Sequence, residues 1–96
     1  MAVYLIAEVK DIVNKEKYDE YSQKIPPTLK KFGGQYLARG GKITVASGDW
    51  NPLWITMIKF ESIDKFNAWW HSPEYKAIAM LREKSSRTNV VVVEGV

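Results

Sequence analysis

VYLIAEV, residues Val3 to Val9, has the β-rich composition and charged boundaries that predict a strand. Successive side chains of a strand point to opposite faces, yet this strand has no polar face. One face carries Val3, Leu5, Ala7 and Val9, and the other still carries Tyr4 and Ile6. A sheet with one face in water should alternate apolar and polar residues. Both faces of this strand are therefore expected to be covered.

Three further segments are predicted to be strands of the same sheet. QYLARG begins the second strand, which we expect to continue after its glycines through KITVAS, ending at Ser47. LWITMIKF (Leu53 to Phe60) is the third strand, and NVVVVEGV (Asn89 to Val96) is the last. The third and last strands are apolar on both sides as well. Because helices on one side cover only one face, we expect a second copy of the chain to cover the other, giving a homodimer.

The first helix is predicted from one apolar stripe between the first two strands. The residues that recur at spacings of three and four are Tyr18, Tyr21, Ile25, Leu29 and Phe32. Asn14 is a suitable N-cap, and Gly33 should end the helix. Pro26 and Pro27 each lack a backbone N–H, so we expect a break or kink between Lys24 and Pro27.

The second helical region is marked by two capping signals. Ser62 can cap a helix that carries Ile63, Phe66, Trp69 and Trp70 on its apolar side. Ser72 is a second N-cap, with Pro73 at the first helical position. The resulting order is strand, helix, strand, strand, helix, strand. This order predicts one α+β domain, residues 1–96, with the ferredoxin-like βαββαβ plan and a four-stranded antiparallel sheet.

Composition excludes several classes of function. The 96 residues include no cysteine, which excludes disulfides, thiolate nucleophiles and cysteine metal sites. A single histidine makes a transition-metal site unexpected, and no glycine-rich dinucleotide motif follows a strand, so we expect no metal or cofactor. The net charge of +3 comes from basic residues that are scattered among acidic ones along the chain, as expected for a solvated surface. No apolar run is long enough to cross a bilayer, so a cytoplasmic protein without a membrane partner is expected.

Nucleic acid is not an expected partner either. RNA-recognition domains share this element order, but they need a basic residue, a glycine and aromatics on the third strand. LWITMIKF has no glycine and no basic residue at its start.

Three segments in combination resemble a known bacterial family. GGQYLARGG, AWWHSPEY and the closing VVVEGV are similar to the family called domain of unknown function 1330, in the dimeric α/β-barrel superfamily. The resemblance covers nearly the whole chain. It implies a ferredoxin-like protomer whose sheets pair into a barrel, which agrees with the two-faced sheet. It implies no particular reaction and no catalytic residue.

Arg39 is the strongest candidate for binding a ligand. In a regular strand Leu37 and Arg39 share one face, and since Leu37 is apolar we expect that face to be covered and Arg39 to be partly buried. A guanidinium there can hold a carboxylate, phosphate or enolate through two hydrogen bonds. The alternative is a permanent ion pair with Glu94 or Glu74. The glycines that follow Arg39 indicate a β-bulge, or a close approach of ligand or partner backbone.

Other candidates surround the loop between the two helical segments. His71, the only histidine, is a candidate general acid or base, or simply a loop residue before the Ser72 cap. Trp70 can form an aromatic wall with Trp50 and Trp69, although core packing explains some of these rings equally well. Tyr75 can donate a phenolic proton, as can Tyr36 and Tyr4, and the sequence does not rank them. Arg82 and Arg87 can close a pocket, although a solvated helix face is their default role.

These residues leave two classes of function open. The first is a protein that binds a small anionic or carbonyl-bearing molecule in a cleft between sheet and helices, with a cofactor-free enzyme as one form of it. The second is a non-catalytic ligand-binding or structural dimer in which Arg39 belongs to a structural ion pair. The two classes differ in whether Arg39 and His71 reach one polar void.

Overall fold

The strands and helices follow the predicted order, with the second helical region divided into two helices. The computed structural model describes residues 1–96. The elements are β1 (Val3–Ile12), α1 (Lys15–Phe32), β2 (Gln35–Arg39), β3 (Trp54–Phe60), α2 (Ile63–Trp70), α3 (Pro73–Ser85) and β4 (Ser86–Glu94). The strands form one antiparallel sheet in the order β2-β3-β1-β4. This confirms the ferredoxin-like fold. No helix combines the length and the apolar character that crossing a membrane requires.

The helix ends agree with the predicted capping residues. The side chains of Asn14, Ser62 and Ser72 each accept a hydrogen bond from a backbone N–H in the first turn of α1, α2 and α3. Gly33 ends α1 in the left-handed region, at a φ of 74°. These local signals fix where each helix starts and where α1 stops.

The sheet has two apolar faces that differ in what covers them. The inner face packs against all three helices and supplies one side of a continuous core, whose sheet residues are Val3, Leu5, Val9, Ile58 and Phe60. The outer face has no covering element; its apolar residues are Tyr4, Ile6, Ile55, Met57, Val91 and Val93. Val91 is 58% exposed, and Ile6 pairs with both Met57 and Val91 across the ladder. The predicted two-sided apolar sheet is therefore present.

The prediction that the second strand continues through KITVAS is wrong. β2 ends at Arg39, and residues 42–47 belong to no strand. Gly40 adopts a left-handed φ of 68°, which turns the chain away from the sheet just after its N–H bonds the carbonyl of Ile55. The long loop that follows is tied to the outer face by one hydrogen bond, from Trp50 Nε1 to Glu8 Oε2 at 2.7 Å.

The predicted break in the first helix is also wrong, because α1 runs through Pro26 and Pro27 to Phe32. In an α-helix each N–H bonds the carbonyl four residues earlier, so these prolines leave the carbonyls of Ser22 and Gln23 without their helical donors. Ser22 receives a replacement donor from outside the helix, the guanidinium of Arg39. Gln23 is exposed, so water can satisfy its carbonyl.

Candidate functional site

A cavity lies between the inner face of the sheet and the three helices, and every element contributes to its lining. Its enclosed volume is about 40 Å³, which rises to about 540 Å³ when the open mouth is included. Of its 18 lining residues, 13 are hydrophobic. The cavity is thus a narrow, mostly apolar slot in which any polar group has an unusually strong effect.

A β-bulge directs Arg39 into the mouth of this cavity. Tyr36 pairs with Ile58 and Ala38 with Met57, so Leu37 is an extra residue in the ladder. The extra residue reverses the alternation of side chains, and Arg39 lies on the inner face with Tyr36. The expectation that Leu37 and Arg39 share a covered face is wrong, since Leu37 is 51% exposed and Arg39 is exposed too.

Arg39 is held by neutral groups and by an aromatic ring. Its Nη2 donates to the carbonyl oxygen of Ser22 at 2.5 Å and to Ser22 Oγ at 2.9 Å. Its guanidinium carbon lies 4.8 Å from the centre of the Tyr36 ring, in cation–π contact. Neither predicted ion-pair partner reaches it: Glu74 pairs with Lys31 at 2.6 Å, and Glu94 is exposed and unbonded at the end of β4. The charge of Arg39 is thus oriented without being neutralised.

The glycine after Arg39 makes room for a wall of the cavity. A Cβ on Gly40 would lie 2.2 Å from the indole ring of Trp54, far inside contact distance. Trp54 lies along the inner face and donates from Nε1 to Thr56 Oγ1 at 3.1 Å. Gly40 therefore allows the Trp54 ring to approach the backbone closely. The expected β-bulge lies earlier in the strand, at Leu37.

A second guanidinium enters the cavity from α3. Arg82 Nη1 donates to the hydroxyl of Tyr75 at 2.8 Å, and that hydroxyl lies 2.8 Å from the hydroxyl of Tyr21. The guanidinium carbon of Arg82 lies 5.1 Å from the centre of the Trp70 ring. The side chain of Arg82 is only 14% exposed. Its one carboxylate neighbour is the exposed Glu83, whose Oε1 lies 3.7 Å from Arg82 Nη2. Arg82 therefore anchors a chain of phenols and keeps most of its charge directed into the cavity.

The tyrosine hydroxyls differ in whether they have partners. The Tyr36 hydroxyl is fully buried and makes no hydrogen bond. Burial raises the pKa of Tyr36, and the nearby charge of Arg39 only partly opposes this. Burial also raises the pKa of Tyr21 and of Tyr75, with the hydrogen bonds from Tyr21 and Arg82 acting in the opposite direction on Tyr75. All three phenols are therefore protonated at neutral pH and can act as hydrogen-bond donors.

The structure brings three of the four predicted site residues together. Arg39, Trp70 and Tyr75 all line the cavity. His71 does not: it is exposed at the end of α2, where its N–H bonds the carbonyl of Asn67. Trp50, a suggested part of the aromatic wall, lies on the outer side instead and is 56% exposed. No group of three or more histidine, aspartate or glutamate side chains is arranged to hold a metal ion.

Sequence reasoning missed several lining residues. The sequence pattern predicts only core or strand positions for Tyr18, Tyr21 and Trp54, and a solvated position for Arg82. A signal was present in α3, where Tyr75 and Arg82 are seven residues apart and so lie on the same side of the helix. A second signal was the pair Tyr18 and Tyr21, whose hydroxyls need polar surroundings when the rings are buried.

The fold and the cavity define a ferredoxin-like α+β protein with an apolar slot under its helices. The sequence profile of the family described as "Domain of unknown function (DUF1330)" matches residues 2–96, so the chain belongs to that family. Among curated proteins, none matches the sequence significantly.

Solved structures of low sequence identity share the whole fold. The RPA0582 protein of unknown function from Rhodopseudomonas palustris has a TM-score of 0.76 at 12% identity, over 99% of this chain and 82% of that one. A protein from Jannaschia sp. CCS1, described as dimeric and ferredoxin-like, has a TM-score of 0.75 at 10% identity, over 99% and 100%. SnoaB, a cofactor-independent oxygenase from Streptomyces nogalater, has a TM-score of 0.64 at 11% identity, over 99% and 93%.

Proposed function

We propose that this protein binds a small anionic or carbonyl-bearing molecule in the cavity between sheet and helices. One observation carries the proposal: two guanidinium groups, Arg39 and Arg82, line the cavity, and none of its 18 lining residues is acidic. Charges beside apolar walls are weakly screened, so the largely buried positive charge of Arg82, opposed only by the exposed Glu83 at 3.7 Å, favours an anion. The apolar lining supplies the rest of the binding energy through burial of the ligand.

Each predicted lining residue has a distinct role in this proposal. Arg39, exposed at the mouth, binds the anionic group. Trp70 supplies an apolar wall that also carries Arg82 against its face. Tyr75 presents a hydroxyl already oriented by Arg82 and Tyr21. His71 lies outside the cavity, which favours binding over catalysis by that residue.

We infer that the working form is a homodimer joined through the outer face. That face is apolar along its central row, where Met57, Ile6 and Val91 are paired neighbours. Similar folds from Jannaschia sp. CCS1 and Thermobifida fusca are described as dimeric. An apolar face this continuous is an association surface rather than ordinary wet surface. The cavity lies on the other side of the sheet, so each protomer holds a complete site.

The experiment that tests the binding site is titration calorimetry with benzoate on the wild type and three arginine variants. We expect Arg39→Ala to weaken binding by about tenfold or more, since it removes charge-assisted hydrogen bonds. Arg39→Lys should weaken binding by about fivefold, because an ammonium keeps the charge but loses the planar grip.

Arg87→Ala is the matched control, since Arg87 is exposed on β4 and does not line the cavity. It should bind benzoate as the wild type does. If Arg39→Lys binds benzoate as tightly as the wild type, the anchoring role is wrong. If Arg39→Ala lowers only the thermal stability, Arg39 serves the fold through Ser22 rather than a ligand.

A further inference from the structure

We propose that the ligand is a planar conjugated acid that carries a second oxygen, such as a hydroxy- or oxo-substituted aromatic carboxylate. The carboxylate binds Arg39 at the mouth, and the second oxygen accepts a hydrogen bond from the Tyr36 hydroxyl deeper in the cavity. This inference rests on the proposed function and specifies the class of ligand for the same site.

Planarity follows from the aromatic walls of the cavity. Aromatic rings line both sides, Tyr36 and Trp54 from the sheet and Trp70 and Tyr75 from the helices. The rings of Trp70 and Tyr75 stack on each other, at 27° and 5.1 Å between centres. A conjugated ring can stack against these aromatic rings, whereas a saturated ring has no π face to offer them.

We infer the anionic group of the ligand from the N–H groups of Arg39 that have no hydrogen-bond acceptor. Only its Nη2 is bonded, to the carbonyl and hydroxyl oxygens of Ser22. The N–H groups on Nε and Nη1 make no hydrogen bond within the protein. A guanidinium presents pairs of donors that match the two oxygens of a carboxylate. Because Ser22 and the Tyr36 ring fix the guanidinium plane, those free donors are already oriented.

We infer the second oxygen of the ligand from the Tyr36 hydroxyl, which has no hydrogen-bond partner in the protein. Buried polar atoms are nearly always hydrogen-bonded, so this exception requires an explanation. Tyr21 and Tyr75 bond each other, whereas the Tyr36 hydroxyl is buried and has no partner. Burial raises the pKa of Tyr36, so its hydroxyl keeps the proton that it would donate.

The positions of Arg39 and of the Tyr36 hydroxyl determine which end of the ligand lies at the mouth and which end lies inside. Arg39 is exposed and the Tyr36 hydroxyl is buried, while the guanidinium lies over the Tyr36 ring. An acid that enters the slot therefore leaves its carboxylate at the mouth and carries its second oxygen inward. The acid chosen to test this order has its two oxygen groups at opposite ends of the ring.

The test measures dissociation constants for 4-hydroxybenzoate, benzoate and 4-hydroxycyclohexanecarboxylate by calorimetry on the full chain. We expect 4-hydroxybenzoate to bind about tenfold more tightly than benzoate, because benzoate has no second oxygen to accept a hydrogen bond from Tyr36. The saturated acid should bind about tenfold more weakly than 4-hydroxybenzoate, because its ring is not flat. Tyr36→Phe should remove the advantage of 4-hydroxybenzoate over benzoate without lowering the melting temperature, since it deletes an unbonded hydroxyl.

Tyr4→Phe is the matched control outside the cavity, because Tyr4 lies on the outer face of the sheet. It should keep the preference for 4-hydroxybenzoate. If Tyr36→Phe keeps that preference, the role of Tyr36 is wrong. If the saturated acid binds as tightly as 4-hydroxybenzoate, the planar class is wrong, although anion binding stands. If none of the three acids binds the wild type, the proposed function fails together with this inference.

Discussion

At the scale of single residues, the buried phenols are the groups whose protonation depends most on folding. Burial raises the pKa of Tyr18, Tyr21, Tyr36 and Tyr75 above the ordinary value of 10.0. The neutral phenol is therefore the form that the folded chain accommodates, while the unfolded chain ionises freely near pH 10. Their contribution to stability is complete below pH 10 and is lost as the pH rises above it.

We expect alkaline titration to show this coupling directly. Phenolate absorbance should rise in two phases, and the later phase should coincide with loss of the circular dichroism of the helices. Tyr36→Phe should move the midpoint of alkaline unfolding to higher pH, since one buried group no longer ionises. If all five tyrosines ionise together near pH 10 while the helices remain intact, the phenols are not held by the fold.

At the scale of elements, α1 and β2 are coupled through a backbone carbonyl. Pro26 deprives Ser22 of its helical donor, and Arg39 from β2 supplies another. The proline thus creates an acceptor on the side of a helix, where regular helices have none. Pro27 does the same for Gln23, but on an exposed side where no side chain bonds it. The two prolines therefore form a natural pair for comparison.

We expect Pro26→Ala and Pro27→Ala each to raise the free energy of unfolding by about 1–3 kcal/mol, because alanine restores a helical hydrogen bond and favours the helix. Only Pro26→Ala should also weaken benzoate binding, by about threefold, since the Ser22 carbonyl then has a second donor and holds Arg39 less firmly. Chemical denaturation and calorimetry measure the two effects separately. Equal affinities in the two variants would show that the carbonyl does not position Arg39.

What the sequence could predict at this scale depended on how local each signal was. Ser72 with Pro73, and Asn14 before α1, are local signals, and the structure confirms both. The continuity of α1 could not be predicted, because the donor that satisfies Ser22 comes from another element. The direction of Arg39 could not be predicted either, since the bulge at Leu37 depends on how β2 pairs with β3. Of the four candidate residues, Arg39, Trp70 and Tyr75 line the cavity, whereas His71 does not and the direction of Arg39 was mistaken.

At the scale of the whole molecule, the outer face is the surface through which we propose that the chain dimerises. Val91 lies in the centre of that face, paired with Ile6, and is 58% exposed in the single chain. Stable dimers bury upward of about 1,200 Å² in total, and charge at the centre of such an interface is strongly unfavourable. Met80 on α3 is equally accessible, at 56% exposed, but lies on a helix instead of the sheet.

We expect the wild type to sediment as a dimer at micromolar concentration and Val91→Lys to sediment as a monomer. Met80→Lys is the control for adding a charge and should remain dimeric. The Val91→Lys monomer should still bind benzoate within about threefold of the wild type, because the cavity lies within one chain. A wild type that sediments as a monomer, or a dimer unaffected by Val91→Lys, would show that the outer face is not the interface.

The alternation of side chains along β1 has a consequence for how such proteins diverge. Leu5 lines the cavity, and Ile6, the very next residue, lies on the outer face. A lineage could therefore change its ligand through one codon and its self-association through the adjacent codon. Selection would act on the two sets of positions independently, although they are interleaved in one short segment of the gene. Under our proposals, related chains should share the spacing of these positions while differing in the residues that fill either set.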